Sequence, residues 1–147
     1  MIFKIFVIGK IKNKNLAFEI EELKKRINRL EIVELKEVKE KNNIELIKKK
    51  EFELFRTYIS SNCYNVLLWE HGNEFSTFDF YKKLKKVDKP VCFFITGAFG
   101  PSESLKERVD LNLSLSKMTF SHEQALYLLF EQLYRLNCIE KNIPYNK

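Results

Sequence analysis

Apolar residues along this chain either run together in short stretches or recur every three to four positions, and the two patterns alternate from one end to the other. The first stretch, Ile2-Phe3-Lys4-Ile5-Phe6-Val7-Ile8, is β-rich and stops at Gly9, which predicts a strand. Leu16, Ile20, Leu23, Ile27 and Leu30 then follow at alternating spacings of four and three, the period of an amphipathic helix. Ile32 to Leu35 predicts a second strand. A polar stretch rich in Lys and Asn separates it from a helix expected over 44–59, with Ile47, Phe52 and Phe55 turned inward.

Val66-Leu67-Leu68-Trp69 is apolar without a break, as in a parallel strand covered on both faces, and Gly72 is expected to close it. A helix is predicted from Phe75 to Lys86. Pro90 introduces another unbroken run, Val91 to Ile95, which ends before Gly97 and Gly100 and reads as the centre of the sheet. Pro101-Ser102-Glu103-Ser104 has the residues of a helix start, and Leu111 to Leu115 alternate as a last strand. Ser121 and Gln124 have capping-box spacing ahead of a long helix with Ala125, Leu126, Leu129, Leu133 and Leu136 as its buried stripe.

Strands alternating with helices imply an α/β fold, a mainly parallel sheet with helices on both faces, in one domain over residues 1–147. Ligands in such sheets gather beyond the C-terminal ends of the strands. Residues 69–72, 96–100 and 115–120 are therefore the places where a site is expected.

Composition narrows the function classes. Thirteen Phe and six Tyr supply a core without disulfides or a structural metal. Cys63, Cys92 and Cys138 are odd in number and far apart, which suits a reducing cytoplasm. Residues 1–9 are too short an apolar run to span a bilayer, so no membrane partner is expected. The net charge of +6 is concentrated early: residues 1–56 hold 15 basic and 10 acidic side chains, and the remainder 11 and 10. That asymmetry suits a polyanion such as RNA, although lysine runs are also ordinary solvated faces.

No G-x-G-x-x-G, Walker, H-E-x-x-H or nucleophile-elbow motif is present, and His71 and His122 stand too far apart to make a metal site. What stands out is an ordered set in the last third. Phe94-Ile95-Thr96-Gly97-Ala98-Phe99-Gly100 is followed by Leu113-Ser114-Leu115-Ser116-Lys117-Met118-Thr119-Phe120-Ser121-His122, then Glu131-Gln132-Leu133-Tyr134-Arg135 and Pro144-Tyr145-Asn146-Lys147. The set resembles the bacterial ribosomal RNA large-subunit methyltransferase H family of the SPOUT superfamily.

The resemblance implies a C-terminal deep trefoil knot around S-adenosyl-L-methionine, a homodimer, and methylation of N3 of a pseudouridine in 23S ribosomal RNA on assembled ribosomes. Carried over by position, it places the cofactor against Trp69, Thr96, Gly97, Leu115, Ser116, Lys117, Met118, Thr119 and Phe120. A glycine-containing turn lets backbone groups approach a ligand closely, and Met118 with its apolar neighbours is suited to enclose adenine. Arg135 is the implied catalytic residue, Tyr145 the aromatic on the RNA side, and Asn146 the third member of the acceptor site; a plain Arg135–Glu131 pair one helical turn apart is the competing reading of that arginine. In the homodimer, Leu128 or Phe130 of the last helix are expected between the chains.

Four positions depart from the family pattern. Thr96 stands at the first glycine of a pair, Ser121 at a proline, Leu126 at an arginine, and Asn146 at the histidine of a Pro-Tyr-His tail. Asparagine forms hydrogen bonds but takes no proton at neutral pH. An enzyme therefore stands beside a second reading, a catalytically impaired ribosome- or RNA-binding module on the same scaffold. Periodicity taken alone also accommodates a flavodoxin-like protein.

Overall fold

The computed structural model describes residues 1–146; Lys147, which closes the tail motif, lies outside the described residues. Five strands, β1 (Phe3–Ile8), β2 (Leu30–Leu35), β3 (Tyr64–Glu74), β4 (Val91–Ile95) and β5 (Leu111–Ser114), alternate with five helices. The helices are α1 (Lys14–Arg26), α2 (Ile44–Arg56), α3 (Thr77–Lys85), α4 (Glu103–Arg108) and α5 (His122–Glu140). The sheet order is β2-β1-β4-β3-β5, and every neighbouring pair is parallel. All strands therefore end on the same edge, and each helix carries the chain back across a face.

The side-chain period of two sorts the strands between two cores. Phe3, Ile5 and Val7 of β1, with Phe93 and Ile95 of β4, pack under α1, α3 and α5. Phe6, Ile8, Cys92 and Phe94 face the other way, toward Phe55 of α2 and Leu105 of α4. Aromatic rings fill that second core: Phe6 stacks on Phe94 at 5.2 Å, and Phe55 meets Phe94 edge-on at 5.5 Å. With helices on both faces, all five residues of β4 are buried, which is why its sequence has no polar break.

Each helix begins at an Asn or Ser whose side chain accepts an otherwise unpaired first-turn amide. Ser121 does this for α5, taking the Gln124 amide at 3.2 Å. Gln124 is exposed and makes no return bond among the described residues, so only half of the expected capping box forms.

Several boundaries differ from expectation, the third helix, for example, beginning at Thr77 behind its Ser76 cap rather than at Phe75. Leu30 opens β2 rather than closing the first helix, because the chain turns sharply through Arg29 at φ 50°. The second helix ends at Arg56 rather than near residue 59. Gly72 does not close β3 but lies inside it, where the register with β5 shifts between Leu68 and Asn73. A Cβ at Gly72 would sit 2.5 Å from the Asn112 carbonyl oxygen, so the glycine permits a close approach of two backbones. Phe130 is completely buried in its own chain's core and is not available to a partner; Leu128 is half-buried.

Candidate functional site

The sheet order places β4, β3 and β5 side by side, and the loops beyond β4 and β5 meet the head of α5 and Leu68 to His71 of β3 around a cavity of about 500 Å³. Residues 69–72, expected beyond the strand, lie inside it. Trp69, Thr96, Gly97, Leu115, Ser116, Met118, Thr119 and Phe120 all line it. Lys117 does not. Its side chain is 88% exposed and reaches Glu74 at 4.0 Å.

Internal hydrogen bonds fix the loop after β5. The Ser114 hydroxyl lies 2.9 Å from the Glu70 carbonyl and 2.8 Å from that of Ser116, tying the end of β5 to β3. The Met118 amide donates to Ser116 Oγ at 3.0 Å, and Thr119 Oγ1 donates to the Glu70 carboxylate. The Met118 side chain is left 74% exposed at the mouth of the cavity. Across from it, Lys106 Nζ sits 4.0 Å from the centre of the Trp69 ring while pairing with Glu103 at 2.8 Å.

Behind the loop after β4 stands Glu51 of α2, only 5% exposed. Its Oε1 accepts the Gly97 amide at 3.2 Å. Burial pushes the Glu51 carboxyl above the usual carboxylate range, the Gly97 amide pulls it back, and the charge of Glu37 adds to the rise. A Cβ at Gly97 would lie 2.6 Å from Glu51 Oε2, so the side-chain direction at Gly97 points at Glu51.

A second cluster forms near the end of α5. Arg135 Nε donates to both carboxylate oxygens of Glu131 at 2.9 Å, and Arg135 Nη1 donates to Asn146 Oδ1 at 3.0 Å. The guanidinium also lies 4.9 Å from the centre of the Tyr145 ring, whose hydroxyl donates to Glu131 at 3.2 Å. Tyr134 meets that ring edge-on at 4.8 Å. The bond to Glu131 raises the Arg135 pKa, and partial burial followed by the Glu131 charge raises that of Tyr145. Both groups stay protonated at neutral pH and act as donors. The simple Arg135–Glu131 pair is thus present, within a larger arrangement that brings Arg135, Tyr145 and Asn146 together.

The two clusters are not close to one another. His122, at the head of α5, lines the cavity, whereas Arg135 lies thirteen residues further along the helix, roughly 20 Å at 1.5 Å per residue.

Several lining residues carry no motif: Lys48, Glu70, His71 and Lys106. Glu51 had a readable signal, since Ile47, Glu51 and Phe55 share one buried helical stripe and an acid there breaks the pattern. Glu70 and His71 fall in the stretch at 69–72 already expected to form a site, whereas Lys48 of α2 and Lys106 of α4 are brought there only by the packing of those helices. Among the described residues no group of three or more His, Cys, Asp or Glu is placed to hold a metal ion. No helix among them is long and apolar enough to cross a membrane.

A cavity of this size, with apolar walls and polar backbone at the C-terminal edge of a parallel sheet, fits a nucleoside-sized ligand. A family model described as "Predicted SPOUT methyltransferase" matches residues 1–146. Proteins named ribosomal RNA large subunit methyltransferase H are similar along their whole length. The one from Clostridioides difficile is 36% identical and that from Fusobacterium nucleatum 36%, each pairing with 100% of both chains. The one from Prochlorococcus marinus is 39% identical over 99% of this chain and 95% of its own.

Solved structures share the fold at low identity. A probable methylase family protein from Haemophilus influenzae Rd KW20 superposes with a TM-score of 0.58 at 13% identity, over 95% of this chain and 66% of the other. The SpoU methyltransferase AviRb from Streptomyces viridochromogenes, solved in complex with its cofactor AdoMet, gives 0.51 at 13%, over 91% and 57%.

Proposed function

This chain belongs to the SPOUT methyltransferase family, and on that premise we propose that it methylates 23S ribosomal RNA with S-adenosyl-L-methionine, at N3 of a pseudouridine in assembled ribosomes. The observation that carries this reading is the convergence of the loops after β4 and β5 with the Leu68–His71 stretch of β3 on one nucleoside-sized cleft, in a chain alike from end to end to large-subunit rRNA methyltransferases.

The residues at the cleft fit the cofactor. Leu115, Phe120 and Met118 supply apolar surface for an adenine, the loops at 96–100 and 115–119 supply backbone polar groups, and the Glu70 carboxylate suits a ligand that carries positive charge. When bound, S-adenosylmethionine supplies an activated methyl carbon, so neither a covalent enzyme intermediate nor a metal is needed. The chain's own work is alignment and management of the N3 proton. Arg135, held by Glu131, orients or neutralises the reacting base; Tyr145 contacts it; and Asn146, held by Arg135, lines the acceptor side.

One chain alone leaves its acceptor cluster roughly 20 Å from its own cleft, at the other end of α5. The working enzyme is therefore a homodimer in which one protomer's tail completes its partner's cleft. The partly buried groove between α3 and α5, lined by Phe75, Thr77, Leu128 and Gln132, is the apolar surface open to that pairing. The segment around the cleft threads as the deep trefoil knot of the family, within a single domain over residues 1–147, and the enzyme works in the cytoplasm where ribosomes are its substrate.

The deciding experiment is mass spectrometry of 23S rRNA from cells with and without the gene. One methylated nucleotide should disappear in the deletion and return when the gene is restored. Identical modification profiles would exclude the methyltransferase reading; ribosome binding that persists without methylation would leave the non-catalytic module.

A further inference from the structure

We propose that Glu51 is a positioning residue for the cofactor, holding the loop at 96–100 in its binding conformation from behind the wall of the cleft. The proposal rests on the reading that this cleft binds S-adenosylmethionine. Glu51 touches neither the cleft nor the acceptor cluster, and its influence runs through Gly97.

Two geometric facts lock the pair together. The Gly97 amide donates to Glu51 Oε1 at 3.2 Å, and Oε2 occupies the place that any side chain at residue 97 would need, 2.6 Å from its Cβ position. Real Cβ atoms do not approach an oxygen that closely. A side chain at residue 97 would therefore push the Glu51 carboxylate, the end of a flexible side chain, off its bond to the loop.

The location is costly for a carboxyl group. Ile47 and Phe55, one turn away on either side, are buried on the same stripe of α2, and an apolar residue would fill the position without desolvation. What the carboxyl provides in return is a directed bond to a loop that otherwise hangs between β4 and α4. Gly97 lines the cleft, and Lys48, one turn before Glu51, reaches it from the same helix. Through this bond α2 fixes the distance between two walls. Burial also raises the carboxyl's pKa, in keeping with a group held away from water by its surroundings rather than by an ion pair.

The test is calorimetric titration of S-adenosylmethionine into the full-length protein, with steady-state methylation of large ribosomal subunits alongside. Glu51→Ala should raise the cofactor Kd and KM about tenfold, while kcat at saturating cofactor stays within about twofold, because the groups that meet the RNA are elsewhere. Glu51→Gln keeps an acceptor oxygen for the Gly97 amide and should restore most of the affinity. Gly97→Ala should weaken binding in the natural background but cost little more when combined with Glu51→Ala, because its methyl group enters the vacated space.

Should Glu51→Ala fail to fold, Gly97→Ala still decides the matter, because it dislodges the carboxylate while keeping it in the chain, and an unchanged cofactor KM there would overturn the proposal. Unchanged KM in Glu51→Ala, a fall in kcat alone, or fully additive losses in the double variant would each overturn the proposal while leaving the cofactor cleft in place. A natural protein with no affinity for S-adenosylmethionine would instead remove the functional reading on which it rests.

Discussion

Arg135 is held at two points, with Nε on the Glu131 carboxylate at 2.9 Å and Nη1 on Asn146 Oδ1 at 3.0 Å. The second bond places the tail residue that departs from its family within reach of the implied catalytic arginine. A histidine in the same position would sit beside a guanidinium, which disfavours the imidazolium and keeps the ring able to take a proton. Asn146→His should therefore raise single-turnover methyl transfer by about tenfold or more, within the range a general base supplies, with cofactor affinity unchanged. Arg135→Ala should lower the rate in both backgrounds. An unaltered rate in Asn146→His would assign the tail to positioning alone.

Shared sites make a sharper test of the homodimer than molecular weight does, although light scattering at micromolar concentration should already give twice the chain mass. Arg135→Ala damages the tail and Gly97→Val the cleft, so each variant alone should be nearly inactive. Mixed in equal amounts and allowed to exchange, they should recover about a quarter of the natural rate, since half the dimers are mixed and each of those has one intact composite site. Failure to recover any activity, with exchange verified, would place donor and acceptor in the same chain.

Lys117 lies next to Met118 in sequence but points away from the cleft toward Glu74. Lys117→Ala is expected to change the S-adenosylmethionine Kd by less than about twofold, as an exposed ion pair contributes little. A large loss would mean that the side chain turns inward when the cofactor binds.

The basic end of α1 meets the end of α5, where Asn137 Nδ2 donates to the Arg26 carbonyl at 3.4 Å. The end of α1 that carries Lys24, Lys25 and Arg26 therefore lies beside the end of α5 that carries Arg135. Replacing all three with Gln should weaken binding to ribosomes about tenfold and flatten its salt dependence by up to about three in the log–log slope, leaving cofactor affinity alone. A salt-insensitive natural complex would remove the electrostatic basis of this expectation.

Glu123 ties the start of α5 to the start of α1 by accepting the amides of Lys12 and Asn13 at 2.9 and 3.0 Å. The Asn13 amide above all, and then that of Lys12, hold its carboxyl below the ordinary value. Its folded pKa is depressed, so its stabilising share is complete above the unfolded carboxylate pKa and is lost as pH falls through the folded one. Glu123→Gln should accordingly lower Tm at neutral pH, with the gap from the natural protein closing in the acid range below about pH 4.5. A gap that stays constant with pH would mean the bonds do not depend on the charge.

Periodicity along the chain determined the elements. Every strand and helix was legible, because burial on one or two faces leaves a repeat of two, an unbroken run or a repeat of 3.6 within a dozen neighbouring residues. The loops of the cleft were legible as well, since a parallel sheet collects its ligands at one edge and the ordered motifs at 94–122 lie in just those loops. Contacts between distant segments were beyond such local patterns. Gly72 looked like a strand end because nothing near it in sequence shows that β5 comes within 2.5 Å of its missing Cβ. Glu51 stands out in sequence only as an acid on a buried helical stripe, and its partner, the Gly97 amide forty-six positions later, is set by the packing of α2 against that loop. Phe120 and Arg135 belong to one motif set and stand at opposite ends of α5, but which of them faces the cleft is set by the packing of that helix against the sheet. Tertiary structure decided those relationships, as crossover topology and side-chain direction arise only when elements far apart in the chain are packed against one sheet.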